Sequence, residues 1–105
     1  MINEESDISA TKAGVLSLLQ SCAVAPGPHA GRCNALLPDT IRTWPSGEDL
    51  RDGAKRGAME GWITRGRLGC VDDLVWPAVF LACEQSACVN GASILIDGGL
   101  FVNLR

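Results

Sequence analysis

The segment Ala92–Gly99 constrains the fold of this chain more than any other stretch. Ile94, Leu95 and Ile96 form an unbroken aliphatic run, which suits a strand buried on both faces. Asp97, Gly98 and Gly99 then stop it, because glycine supplies the backbone freedom of a turn and weakens a strand. A strand covered on both faces belongs to a parallel sheet, and parallel neighbours need a long crossover. A second short apolar run, Arg32 to Leu37, ends at Pro38. The spacing therefore predicts an α/β fold with two parallel strands, at about 31–37 and 93–97, joined by helices.

Helices are expected at about 9–25, 48–60 and 72–84. In the first, Ala13, Leu16 and Ala23 share one face, and Val15, Leu18, Leu19 and Cys22 a neighbouring one. An apolar surface that wide predicts burial on most sides. Gly53 and Gly57 weaken the second helix by about 1 kcal/mol each relative to alanine. Asp72 or Asp73 is placed to cap the third, in which Pro77 is expected within the tolerated first turn. Residues 1–8 read as a frayed leader before a single region, 9–105. Arg65 to Gly69 reads as a loop.

Composition excludes several functions. The net charge of −3 argues against nucleic acid, whose phosphates require a basic surface. Arg51, Lys55, Arg56, Arg65 and Arg67 are interleaved with Asp49, Asp52 and Glu60, which describes a solvated helix face. No apolar stretch approaches the length of a membrane span, and no signal-peptide pattern opens the chain, so the expected compartment is the cytoplasm. The 5 cysteines contain no CxxC pair, and His29 stands alone in a Pro/Gly-rich turn. No metal site is expected, and the thiols are read as buried and unpaired. Trp44, Trp62 and Trp76 are expected to pack separately.

Five motifs in order carry a resemblance. Thr11-Lys12-Ala13-Gly14 opens a helix; Arg32-Cys33-Asn34-Ala35 enters a strand; Arg65-Gly66-Arg67-Leu68-Gly69 precedes Asp72-Asp73-Leu74; Phe80-Leu81-Ala82 and Val89-Asn90-Gly91-Ala92 lead to the Asp97-Gly98-Gly99 tail. The series resembles the C-terminal part of a short-chain dehydrogenase/reductase, and its tail is most like that of fungal sugar dehydrogenases of the L-rhamnose 1-dehydrogenase type. The resemblance implies the C-terminal portion of a Rossmann-like doubly wound parallel sheet, incomplete here. It also implies NAD(P)-dependent alcohol or sugar oxidation.

The same resemblance assigns roles to residues. Lys12 matches the family lysine that binds the nicotinamide ribose and lowers the pKa of a tyrosine four residues before it; Ile8 stands at that tyrosine position. Pro38, Ile41 and Thr43 match the loop that meets the nicotinamide. Asp39 replaces the family glycine, with a backbone cost expected at that position. Asn34 is expected to be structural. No glycine-rich strand-to-helix turn for a pyrophosphate lies within the 105 residues.

Three functions follow as expectations. The first is a truncated, inactive dehydrogenase, a pseudoenzyme whose Lys12, Pro38, Ile41 and Thr43 are vestigial and which binds neither NAD nor NADP alone. The second is a non-catalytic partner, forming homo-oligomers or hetero-oligomers with full-length family members. The third is a small enzyme of another kind using Asp39, Lys12 or a thiol.

Overall fold

The structure is a computed structural model that describes residues 4–25, 31–43 and 52–103, with side chains of the first segment from Ser9 onward. Helix α1 spans Glu4–Val24. It begins earlier than the periodicity of apolar residues indicates.

Strand β1 is Ala35–Pro38 and strand β4 is Ser93–Ile96, and the two are hydrogen-bonded neighbours. The Ala35 N–H donates to the Ala92 carbonyl and the Asp39 N–H to the Ile96 carbonyl, at 2.8 and 3.2 Å. Both partners advance in the same direction, so the pair is parallel, as the sequence predicts. Regular pairing starts at Ala35, later than expected, because Arg32 and Asn34 spend their side chains on neighbouring backbone.

A second parallel ladder joins β2, Ile41–Arg42, to β3, Gly69–Cys70, in the register Ile41↔Gly69 and Arg42↔Cys70. Sequence periodicity over two residues carries no strand signal, and Gly69 was expected in a loop. Glycine at 69 leaves room for the end of the Ile41 side chain, which a Cβ there would displace.

Helix α2, Gly53–Trp62, is capped by Asp52, whose carboxylate accepts from the Ala54 and Lys55 N–H groups. The expected start at 48 falls outside the described residues. Helix α3 spans Asp72–Ala82 with Pro77 as its sixth residue. Pro77 is therefore in the interior, beyond the tolerated first turn, and has no N–H to return to the Asp73 carbonyl. A short 3₁₀ turn, Glu84–Ser86, and helix α4, Leu100–Asn103, complete the described elements.

The chain divides into two compact units. The first combines the residues up to Ala35 with Leu81–Ile94, and Leu19, Ala23 and Ser86 are its buried residues. The second combines Leu36–Phe80 with the residues from Leu95 onward, and buries Ile63 and Leu68. The expected burial of α1 on most sides is not met within the chain: Val15 and Leu18 are 60% and 63% exposed. Trp62 and Trp76 are likewise exposed, and Trp44 lies outside the described residues. The five cysteines form no disulfide, as expected, but none is fully buried: Cys22 and Cys88 are exposed, and Cys33, Cys70 and Cys83 half-buried. No described helix is long and apolar enough to cross a membrane.

Candidate functional site

In the first unit, two asparagines and an arginine knit loops together. The Asn34 amide donates to the Val89 carbonyl and accepts from the Ala92 N–H, both at 2.9 Å. The Asn90 amide accepts from the Cys33 N–H at 2.9 Å and donates to the Ala23 carbonyl at 2.8 Å. Arg32 donates to the Leu81 and Val89 carbonyls. Every one of these partners is backbone, so the Arg32-Cys33-Asn34 and Val89-Asn90-Gly91 motifs hold the entrance to the strand pair. Asn34 is structural, as the sequence suggests. The reach of Asn90 was not legible, because an Asn-Gly pair signals only a turn.

Lys12 lies on the exposed surface of α1 in this unit, one helical turn after Ile8. Pro38 ends β1, Ile41 lies in β2, and Thr43 follows it; these belong to the second unit.

The carboxyl ends of parallel strands are where α/β folds hold ligands. Here that end carries a cleft of about 200 Å³, bounded by Asp39, Ile41, Arg65, Arg67, Asp97 and Gly98 among others. Ile41 thus reaches the cleft, together with Asp39. The loop feeding it contains a strained residue. Among the described residues Thr40 is the one non-glycine with positive φ, at +47°. The conformational cost expected at Asp39 therefore falls one residue later, on a β-branched side chain that resists it. Two contacts hold Thr40 there: its hydroxyl donates to the Asp39 carboxylate at 3.0 Å, and its carbonyl accepts the Gly69 N–H at 3.1 Å.

Opposite that loop, Arg67 and Asp73 form a bidentate ion pair at 2.7 and 2.8 Å. Asp73 also accepts from the Cys70 N–H at 2.8 Å and the Cys70 thiol at 3.3 Å. The Arg67 guanidinium first, then the Cys70 backbone and thiol, hold the Asp73 carboxyl well below the usual carboxylate range. Asp73 accordingly reaches back to Cys70 and does not cap forward. The pair was missed because arginine and aspartate six positions apart share no simple helix or strand spacing.

Asp97 closes the last turn. Its carboxylate accepts from the Phe101 N–H at 2.7 Å and the Gly99 N–H at 2.9 Å, and these bonds, Phe101 foremost, lower its pKa. Gly98 and Gly99 have φ of +64° and +89°; a Cβ on them would meet Ile63 Cγ2 at 2.7 Å and Thr64 Cβ at 2.8 Å. The glycine pair is a packing device and carries no chemical group toward a ligand. Among the described residues no set of side chains is arranged to hold a metal ion.

Comparison with known proteins places this arrangement. The profile of a family described as Enoyl-(Acyl carrier protein) reductase matches residues 1–101. The L-rhamnose 1-dehydrogenase (NAD(P)(+)) of Azotobacter vinelandii is 58% identical over 95 residues, which cover 90% of this chain and 37% of that protein. The L-rhamnose-1-dehydrogenase of Scheffersomyces stipitis is 57% identical over the same shares. The likeness is therefore as strong outside the fungi as within them. The chain spans a little over a third of the length of these relatives. Among solved structures, a gluconate 5-dehydrogenase from Burkholderia cenocepacia in complex with NADP and tartrate superposes with a TM-score of 0.80 at 31% identity, over 89% of this chain and 36% of that one. An oxidoreductase of the short chain dehydrogenase/reductase family from Burkholderia thailandensis gives 0.78 at 31%, over 90% and 37%.

Proposed function

This chain belongs to the short-chain dehydrogenase/reductase family, and from that premise we propose that it is the C-terminal part of an NAD(P)-dependent dehydrogenase of L-rhamnose or a similar sugar. The observation that carries the reading is the parallel β1–β4 pair, whose carboxyl ends lead into the Pro38–Thr43 loop and the Asp97–Gly99 turn within a sequence 58% identical to such an enzyme.

By family resemblance, Pro38, Ile41 and Thr43 would meet the nicotinamide of the cofactor, and Lys12 stands at the position of the lysine that binds its ribose. When bound, NAD or NADP supplies the hydride acceptor. The contribution of these residues would be orientation: a loop pinned through Thr40 to β3 presents a fixed wall against which the nicotinamide would be positioned. The 105 residues contain no glycine-rich pyrophosphate turn, and Ile8 has no proton to give. By themselves, then, they neither bind the dinucleotide nor oxidise sugar, and Lys12, Pro38, Ile41 and Thr43 are vestigial in that state. We place the protein in the cytoplasm, where cysteines without disulfides are at home.

A second reading has its own support. Val15 and Leu18 on α1, Trp76 and Val79 on α3, and Phe101 and Val102 on α4 are all exposed. Such apolar surface suits association with copies of the chain or with full-length relatives.

The test is a graft. Residues 9–105, placed behind the first half of the Scheffersomyces enzyme ending in its own tyrosine, should oxidise L-rhamnose with NAD or NADP, whereas the 105-residue chain, even with Ile8→Tyr, should not. Turnover by the unmodified chain would refute the inactive reading. A folded but silent graft would refute the catalytic one. Co-purification with a full-length relative would favour the partner reading.

A further inference from the structure

Arg67 also lines a second cavity of about 310 Å³, bounded with it by Arg42, Arg56, Leu68 and Cys70. Among the described residues, three guanidinium groups line it and no carboxylate does. That is unusual in a chain with 9 basic and 12 acidic residues. The two acids nearest in the network are already spent. Glu60 accepts from the Arg56 Nε at 2.9 Å, and Asp73 accepts from both terminal nitrogens of Arg67. These bonds fix two of the three arginines while leaving other N–H groups of each without a partner among the described residues: the terminal fork of Arg56, and the Nε of Arg67. Arg42 makes no hydrogen bond or ion pair there. Its place is set by backbone, since it stands opposite Cys70 in the β2–β3 ladder.

We propose that Arg42, Arg56 and Arg67 form a binding site for a small oxyanion, either a phosphate group or the carboxylate of a polyhydroxy acid. Planar guanidinium forks match the oxygen spacing of both groups and bind them through paired charge-assisted hydrogen bonds. An anion would also relieve the mutual repulsion of three cations around one cavity. Leu68, buried beneath, gives the site an apolar floor that strengthens those bonds relative to open solvent. The site takes Arg42 from the Pro38–Thr43 segment and shares Arg67 with the first cleft, yet it requires no nicotinamide cofactor, so it stands whether or not the chain contributes to a dehydrogenase.

The experiment is an amide NMR titration of the 105-residue chain at constant ionic strength, with sodium phosphate, sodium gluconate and sodium chloride in separate arms. Saturable shifts in the millimolar range at Arg42, Leu68 and Cys70 are expected with an oxyanion and not with chloride. Arg42→Gln and Arg56→Gln, both exposed positions, should each weaken binding about three- to tenfold, as loss of a charge-assisted hydrogen bond requires. Phosphate binding more tightly than gluconate would identify a phosphate ester as the natural ligand, and the reverse order a sugar acid. Shifts equal to those of chloride, or unchanged affinity in both variants, would overturn the proposal.

Discussion

Arg67 grips Asp73 with two parallel hydrogen bonds of 2.7 and 2.8 Å, and the same carboxylate holds both the N–H and the thiol of Cys70. The end of β3 is thereby tied to the first turn of α3 through one side chain. Because the folded Asp73 pKa lies below its unfolded value, this tie contributes fully above the ordinary aspartate range. It fades as pH falls through the folded value. Asp73→Asn should lower the melting temperature at neutral pH, and the gap to wild type should close as pH drops below about 4. Circular dichroism melts across the acid range test this. A gap independent of pH would mean that the carboxylate charge is irrelevant.

Asn34→Ala and Asn90→Ala should each destabilise the chain by about 1–3 kcal/mol, since each removes two side-chain bonds to backbone; the Val89 carbonyl keeps its bond from Arg32, whereas the Ala92 N–H loses Asn34. The two share the Cys33–Ala92 junction, so the double variant should lose less than the sum. Urea unfolding of the singles and the double measures the coupling.

Relief of strain is expected at Thr40 and not at its neighbour. Thr40→Gly removes the left-handed strain but also adds unfolded-state entropy and loses the hydroxyl bond to Asp39, so it should change stability by less than about 1 kcal/mol. Asp39→Gly should lower it by a comparable amount, through the entropy of the unfolded chain and loss of the carboxylate that accepts from Thr40. In the grafted enzyme the same Asp39→Gly change removes a negative charge from the cleft wall, and a rise in kcat is expected. Thermal melts and steady-state kinetics separate the two effects.

Gly98→Ala and Gly99→Ala should each cost about 2 kcal/mol or more, from positive φ together with a collision against Ile63 or Thr64. Denaturant midpoints provide the measurement. Unchanged midpoints would show that the turn has room to relax.

Much of the architecture was legible because it rests on long patterns. The aliphatic run of Ile94 to Ile96 and the apolar stretch before Pro38 announce strands, and their parallel pairing follows from the length of the connection; the expected burial of the last strand on both faces is not met, since β4 alternates exposed and half-buried residues and Leu95 is 46% exposed. The β2–β3 ladder was not legible, since two-residue strands leave no period and Gly69 reads as a loop residue until Ile41 lies against it. The site divides the same way. The reading of Pro38, Ile41 and Thr43 rests on a motif, which preserves order but not contact. The Arg67–Asp73–Cys70 network and the Thr40 strain come from spatial closeness and backbone angle, and neither leaves a mark in residue spacing. The expected burial of α1 failed for an informative reason: its apolar width describes more neighbours than this chain supplies.

The turn at Gly98 and Gly99 separates two histories that a sequence comparison runs together. Its glycines are required by Ile63 and Thr64, which are residues of the same unit, and by the backbone angles of the turn itself. Loss of a proton donor or of a nucleotide cradle elsewhere would not loosen that requirement. Such a turn persists for as long as the polypeptide must fold, so it marks descent independently of whatever chemistry accompanies it.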